Sequence, residues 1–383
     1  MKIAVISNHA RSMLNFRGPL LSELHRQGHE VLAFAPDFDP ETRSALAALG
    51  AQTVDFYMSR SGVNPVKEIA VIFELRRLLR RHRPDICFAF FLKPVIYGTI
   101  AAWTIGIERR FGLIEGLGFA FTAVPEINFR RWIAQRFLLA LARLAMGRLN
   151  RVIFLNPDDR EEFLDRKLVT LPQTALLGAI GLDLEEWSVE PLPNGPVTFI
   201  LVARLLRDKG IREYVEAARM LRTSYPEARF LLVGGLDENP AAIARAEVDS
   251  WVAEGLIEWP GHVPVRPWLA QASVFVLPSY YREGVPRSTQ EAMALGRPVI
   301  TTDAPGCRET VLEGRNGFLV PPRDPVALAD AMHHFIERPQ DIASMGAESR
   351  KLAEERFDVH VQNQKLIGFM GLCSDHTASG QSV

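Results

Sequence analysis

Short runs of β-branched and aromatic residues alternate with longer amphipathic segments along this chain, and the alternation stops once and then restarts. The first series is IAVIS from Ile3, VLAFA from Val31, ICFAFF from Ile86 and RVIFL from Arg151. Runs this short and apolar suit strands buried on both faces, and the segments between them suit crossover helices. The pattern therefore reads as βα units around a parallel sheet. A Pro- and Gly-rich break follows at Glu190-Pro191-Leu192-Pro193-Asn194-Gly195-Pro196. After it, VTFILV from Val197, RFLLVGG from Arg229, VFVLP from Val274 and PVITTD from Pro298 repeat the signal. The expected fold is α/β, with two Rossmann-like, doubly wound parallel-sheet domains, 1–190 and 191–357, facing a central cleft where open sheets of this kind bind ligands.

Composition narrows the function. The chain has 383 residues, more than one core usually organises, and 48% hydrophobic with 23% charged residues is ordinary for a globular protein. Lys and Arg number 44 against 45 Asp and Glu, a net charge of -1, so no global field points to nucleic acid. The three cysteines, Cys87, Cys307 and Cys373, form no metal-binding or disulfide pattern, which fits a reducing cytoplasm. The N-terminus has too short an apolar run for a secretory signal, and Lys93 and Pro94 interrupt the most membrane-like stretch, Ile86 to Ile107. No G-x-G-x-x-G follows the first strand, which disfavours a dinucleotide oxidoreductase. Asp37-Phe38-Asp39 has the form of a metal-diphosphate signature, but Pro40 follows it and the run reads as a turn. His333-His334 and His360 have no partners at ligand spacing. No metal and no cofactor are expected.

The most informative stretch begins at Val274: strand VFVLPS, loop YYREGVPR, helix STQEAMALG, with Glu283 and Glu291 separated by seven residues. With Ala203-Arg204 and Lys209-Gly210 upstream, and Asn316-Gly317 and Pro321 downstream, this half resembles glycosyltransferase family 4, whose fold is GT-B. The resemblance implies a retaining transfer of a sugar from a nucleoside diphosphate. A departing diphosphate needs fixed cations, backbone N–H groups and a helix N-terminus around it. Arg204 and Lys209, in the loop after VTFILV, are implied to bind it, with Gly284, Val285 and Pro286 bringing backbone close. Glu291 is implied to accept hydrogen bonds from the ribose, and Glu283 to face the transferred sugar where positive charge builds. Plainer readings stay open. Ser288-Thr289-Gln290-Glu291 also fits a capping box, with Glu291 reaching back to Ser288, and Arg204 and Lys209 taken singly would be solvated loop charges. Gly234 resembles the family's turn beside the nucleotide, and the backbone at Val263 is implied to face the base. Either can equally be an ordinary strand end.

The first half departs from the family pattern. A single glycine, Gly18, stands where a Gly-Gly turn is common; it is expected to open a helix and bring backbone to phosphate, with Asn15 and Arg17 beside it as acceptor contacts, although the aromatic and Arg residues there can equally be packing and surface. After ICFAFF the chain reads Leu92-Lys93-Pro94-Val95-Ile96-Tyr97-Gly98, then Glu115-Gly116-Leu117-Gly118-Phe119-Ala120-Phe121. This resembles the members that build surface polysaccharide or oligosaccharide on polyprenyl-diphosphate carriers, and it implies a phosphate role for Lys93. Residues 126–151 carry six arginines against Glu126, interleaved with apolar residues at helical spacing. Such a helix can lie on an anionic membrane surface or pack its apolar side on the sheet. By analogy, a final helix over about 358–373 packs back on the first domain, and the polar tail 374–383 reads as disordered.

The expected activity is transfer of a hexose or N-acetylhexosamine from a UDP-sugar to a polyprenyl-diphosphate-linked saccharide, by an enzyme peripheral to the inner face of the plasma membrane. A nucleotide-sugar epimerase or hydrolase of the same architecture, and a non-catalytic saccharide- or lipid-binding partner, are the alternatives.

Overall fold

The computed structural model describes residues 1–59, 64–117, 129–237, 239 and 241–372, with backbone alone over 129–135. The run Gly118 to Phe121, the first residues of the arginine-rich segment and the tail 374–383 lie outside the described residues. The chain divides into two compact units: Met1–Ile180 together with the stretch from His360 onward, and Gly181–Val359.

Unit 1 is a parallel sheet of β1 (Lys2–Ile6), β2 (Glu30–Ala35), β3 (Ala51–Asp55), β4 (Ile86–Phe90), β5 (Arg109–Ile114), β6 (Arg151–Phe154) and β7 (Thr174–Leu176). Its strand order is β3-β2-β1-β4-β5-β6-β7. The central strands are buried on both faces, which is why they read as unbroken apolar runs. Helices α1 (Ala10–Arg26), α2 (Pro40–Ala48), α3 (Pro65–His82), α4 (Leu92–Trp103), α5 (Phe129–Met146) and α6 (Pro157–Asp165) connect them. Local chemistry sets their ends. In α3 the Asn64 side chain accepts from the N–H groups of Val66 and Lys67, Pro65 occupies the first turn, and Arg80, Arg81 and His82 lie at the negative end of the dipole.

Unit 2 is a second parallel sheet of β8 (Thr198–Val202), β9 (Arg229–Val233), β10 (Glu258–Gly261), β11 (Val274–Leu277), β12 (Val299–Thr302) and β13 (Gly317–Val320), ordered β10-β9-β8-β11-β12-β13. Its helices are α7 (Ile211–Arg222), α8 (Arg245–Ala253), α9 (Arg266–Ala270), α10 (Arg287–Ala294), α11 (Pro325–Glu337) and α12 (Gln340–Arg356). The last helix, α13 (Val359–Phe369), belongs almost wholly to unit 1: Arg109 donates to the carbonyls of Met370 at 2.7 Å and Gly371 at 3.1 Å just beyond it. Among the described residues no helix is long and apolar enough to cross a membrane.

The unit boundary falls at residue 180, ten residues before the expected one. Composition marks the Pro-rich segment as irregular, but three arginines of unit 2 fasten residues 186–191 to that unit. Arg266 donates to the carbonyl of Glu186 at 2.6 Å, Arg350 to that of Trp187 at 2.7 Å, and Arg297 to those of Glu190 at 2.8 Å and Pro191 at 2.9 Å. Arg297 is fully buried and also bonds the carbonyls of Leu269, Leu295 and Ala270; burial pulls its pKa down to about 10, so it stays charged at neutral pH. Arg297→Met would leave these acceptors unpaired and should cost unit 2 about 3 kcal/mol. Urea unfolding followed by the fluorescence of Trp251 and Trp259 checks this, and an unchanged midpoint would contradict it.

Candidate functional site

In unit 2 the strand order reverses between β8 and β11, so the chain leaves these neighbours toward opposite sides and a crevice opens at their C-terminal ends, the usual ligand position in doubly wound sheets. The loops lining it, 203–210 and 278–286, carry Arg204, Lys209, Glu283, Gly284, Val285 and Pro286. Lys209 and Glu283 form an ion pair there, with side chains only 13% and 11% exposed. The Ser279 hydroxyl donates to the same Glu283 carboxylate oxygen at 2.9 Å, and Lys209 sits 5.1 Å above the Tyr281 ring.

Backbone contacts hold the two loops together. The Asp208 carbonyl accepts from the amides of Tyr280 at 2.9 Å and Tyr281 at 3.0 Å. Gly210 has φ 73°, and a Cβ there would stand 2.1 Å from the Pro278 carbonyl oxygen, so only glycine lets the loops approach this closely. From below, Gly306 at φ 76° presses on the loop 278–286: a Cβ would lie 2.3 Å from the Gly284 carbonyl oxygen and 2.5 Å from that of Glu283. Beside it, burial pushes the Cys307 thiol up to about 12, so it is a packing group rather than a nucleophile.

Arg204 lies at the same strand end. Its side chain is 55% exposed and meets Asp237 at 3.0 Å. Gly234 ends β9 with both backbone groups engaged: its N–H donates to the Gly261 carbonyl at 3.0 Å and its carbonyl accepts from the Trp259 indole at 2.9 Å. A Cβ on Gly234 would stand 1.8 Å from the Ala203 carbonyl oxygen, so this glycine permits the close approach of the strand that carries Arg204. Val263 is half-buried just beyond β10, also at the C-terminal edge. Gly284, Val285 and Pro286 lead into α10, which begins at Arg287 with Pro286 as its N-cap and no side-chain cap. The capping box is therefore not formed. Glu291 instead pairs with Arg287 at 2.9 Å, one turn away; burial pushes its carboxyl up and Arg287 opposes the rise.

In unit 1 the structure corrects the reading of Gly18. Helix α1 starts at Ala10, capped by the His9 side chain, so Gly18 lies in mid-helix and does not open it. The lack of a side chain at Gly18 instead admits Leu49, which a Cβ would meet at 3.3 Å. Arg17 is buried, ion-paired with buried Glu115 and stacked 4.8 Å from the Phe90 ring. Asn15 is exposed on the same helix. Lys93 opens α4 and pairs with buried Glu68 at 2.9 Å, so its charge is already matched. Asp39 caps α2 and Asp37 accepts from the Ala10 amide at 3.0 Å, so the two aspartates serve helix ends. Among the described residues no cluster of His, Cys, Asp and Glu could hold a metal ion. A concavity of unit 1 lined by Met1, Arg80, Arg83, Asp85, Glu108 and Arg109 opens at the opposite edge, by the strand N-termini, and holds none of the residues marked in the sequence.

Ser279 and Tyr281 were not marked in the sequence. Their signal was position: both lie between the end of β11 and Glu283, where a strand-end loop turns side chains into the crevice.

Two doubly wound parallel sheets of this kind make a GT-B glycosyltransferase fold. Over 96% of this chain and 97% of that one, the structure matches sucrose-phosphate synthase from Thermosynechococcus elongatus with a TM-score of 0.76 at 21% identity. It matches Anabaena HepE, solved in complex with UDP, with a TM-score of 0.76 at 19% identity over 97% of this chain and all of that one. In sequence, residues 17–176 match the glycosyl transferase 4-like domain and residues 196–338 the glycosyl transferases group 1 domain. The chain belongs to glycosyltransferase family 4. Over 88% of its length and 90% of the relative's, it is 26% identical to the N,N'-diacetylbacillosaminyl-diphospho-undecaprenol alpha-1,3-N-acetylgalactosaminyltransferase of Campylobacter jejuni subsp. jejuni.

Because Gly306 fixes the backbone of Glu283 and Gly284, Gly306→Ala should move the carboxylate and lower turnover about a hundredfold, with circular dichroism unchanged. A variant that turns over normally would show that this contact does not place Glu283.

Proposed function

We propose that the protein is a retaining glycosyltransferase that moves a hexose or N-acetylhexosamine from a UDP-sugar to a polyprenyl-diphosphate-linked saccharide, without a metal ion, at the inner face of the plasma membrane. The observation that carries this reading is the grouping of Arg204, Lys209 and Glu283 at the switch point of unit 2. Two cations suit a diphosphate, and a carboxylate held by Ser279 suits the electron-poor carbon it leaves. The likeness to the Campylobacter transferase supports the lipid-linked acceptor, and the likeness to the UDP-bound HepE fold supports the nucleotide.

The chemistry follows from these residues. Arg204 exchanges Asp237 for phosphate oxygens, a small loss because an exposed pair is worth only about 0–1 kcal/mol. Its forked guanidinium then bonds two oxygens at once. As the bond between the anomeric carbon and the diphosphate oxygen breaks, negative charge grows on the phosphate beside Lys209 and positive charge on the sugar beside Glu283. The acceptor hydroxyl adds to the anomeric carbon on the face the diphosphate leaves, and its proton passes to the departing phosphate oxygen. Configuration is retained in one step. Glu291, raised by burial and countered by Arg287, accepts hydrogen bonds from the ribose.

The test is incubation of the purified chain with UDP- and GDP-sugars and a short polyprenyl-diphosphate-sugar, in EDTA, with lipid mass and nucleotide release followed together. A lipid gaining one sugar mass from a UDP donor is expected, and Glu283→Ala should lower that rate about a hundred- to a thousandfold. Nucleotide release without lipid gain, or a free isomerised sugar, would overturn the proposal.

A further inference from the structure

We infer that the outward face of α3 docks the enzyme on an anionic lipid surface. Among the exposed large apolar side chains of the described residues, Val66, Ile69 and Phe73 are 77%, 42% and 62% exposed, with Tyr57 at 60% just before the helix. Single exposed apolar residues need no explanation, but positions 66, 69 and 73 share one face of a helix and form a stripe. The opposite face is committed to the fold through buried Val71, Leu75 and Leu79.

Charge identifies the partner. Lys67, Arg77, Arg80 and Arg81 are exposed on the same helix, and none has an ion-pair partner among the described residues. Of the two acids of α3, Glu68 is buried against Lys93, and Glu74, which accepts from the Tyr57 amide at 3.2 Å, is one carboxylate against the four cations. An exposed apolar stripe continued by unpaired cations matches the boundary between acyl chains and anionic headgroups. Two copies of so basic a face would repel, which disfavours a dimer here.

Position fits the acceptor. The Glu68–Lys93 pair fixes the first turns of α3 beside the start of α4, which follows β4. The apolar half of the stripe therefore lies at the strand C-terminal edge of unit 1, the end where such sheets take ligands. The sequence leaves 126–151 open between this role and packing on the sheet. In the described part of α5, however, Leu138, Ala142, Ala145 and Met146 are buried in the core of unit 1, so its apolar side is spent on packing. The biological sense of the surface rests on the proposed lipid-linked acceptor; its binding does not.

The test is co-sedimentation of the full chain with phosphatidylcholine vesicles, with and without phosphatidylglycerol, across a salt series and with no acceptor present. Binding to the anionic vesicles alone, weakening as salt rises, is expected. R77E/R80E/R81E should weaken it about a hundredfold, and V66S/I69S/F73S at least about tenfold. Both sets are solvent-facing and should leave transfer to a short soluble acceptor within about twofold of the parent. Equal binding to neutral vesicles, partition unchanged in both variants, or a dimer that the serine set dissolves in a chain that ignores vesicles, would overturn the inference. Transfer to the soluble acceptor without vesicle binding sinks this surface and leaves the activity standing. Vesicle binding lost in both variants, with no transfer by the parent chain, upholds the surface and sinks the activity.

Discussion

The site depends on one ion pair, Lys209 with Glu283, formed between two loops that follow non-consecutive strands. Taking both charges out of water is costly, and such pairs seldom add net stability over an apolar replacement. Losing one partner is another matter, because an uncompensated buried charge costs about 3–5 kcal/mol. The surrounding structure is built to keep the pair: Gly210 lets the loops touch, Ser279 bonds the carboxylate, Tyr281 lies under the ammonium and Gly306 supports the backbone. In the proposed reaction this pair of opposite charges stands where bond breaking would create opposite charges.

Unit 1 applies the same physics. Arg17 and Lys93 each neutralise a buried glutamate at the strand C-terminal edge, and Arg17 also stacks on Phe90. Their charges set the shape of that edge. Unit 1 also exposes the outer face of α3, where cations stand without carboxylate partners among the described residues. Positioning and docking are thus divided between two layers of the same unit.

The legible part of the fold was its interior. Eight strands announced themselves as apolar runs: β1, β2, β4, β6, β8, β9, β11 and β12. The four sheet edges did not. β3 has three polar residues in five, β7 has three residues, β10 contains Pro260, and β13 is the short run Gly317–Val320. An edge strand is half solvated, so it lacks the continuous apolar signature of a buried parallel strand. β5, an interior strand, was hidden by Arg109 and Arg110 at its start. At the site, the spacing of Arg204, Lys209, Glu283 and Glu291 carried the chemistry, but pairing could not be read. Glu115 is 98 residues from Arg17 and Glu68 is 25 from Lys93, distances over which no local rule acts, so neither pairing could be read from the sequence. Gly18 was misread because the helix start is set by His9, a residue whose capping role composition does not signal.

The central claim is that Lys209 and Glu283 work as one unit, and a double-mutant cycle tests it most directly. Turnover and UDP affinity would be measured for Lys209→Met, Glu283→Gln and the two combined. If the pair is the unit, each single change should cost nearly as much turnover as both together, a strongly non-additive result. Costs that simply add would mean that the two side chains act independently, and the ion pair would then be a feature of the fold rather than of the reaction.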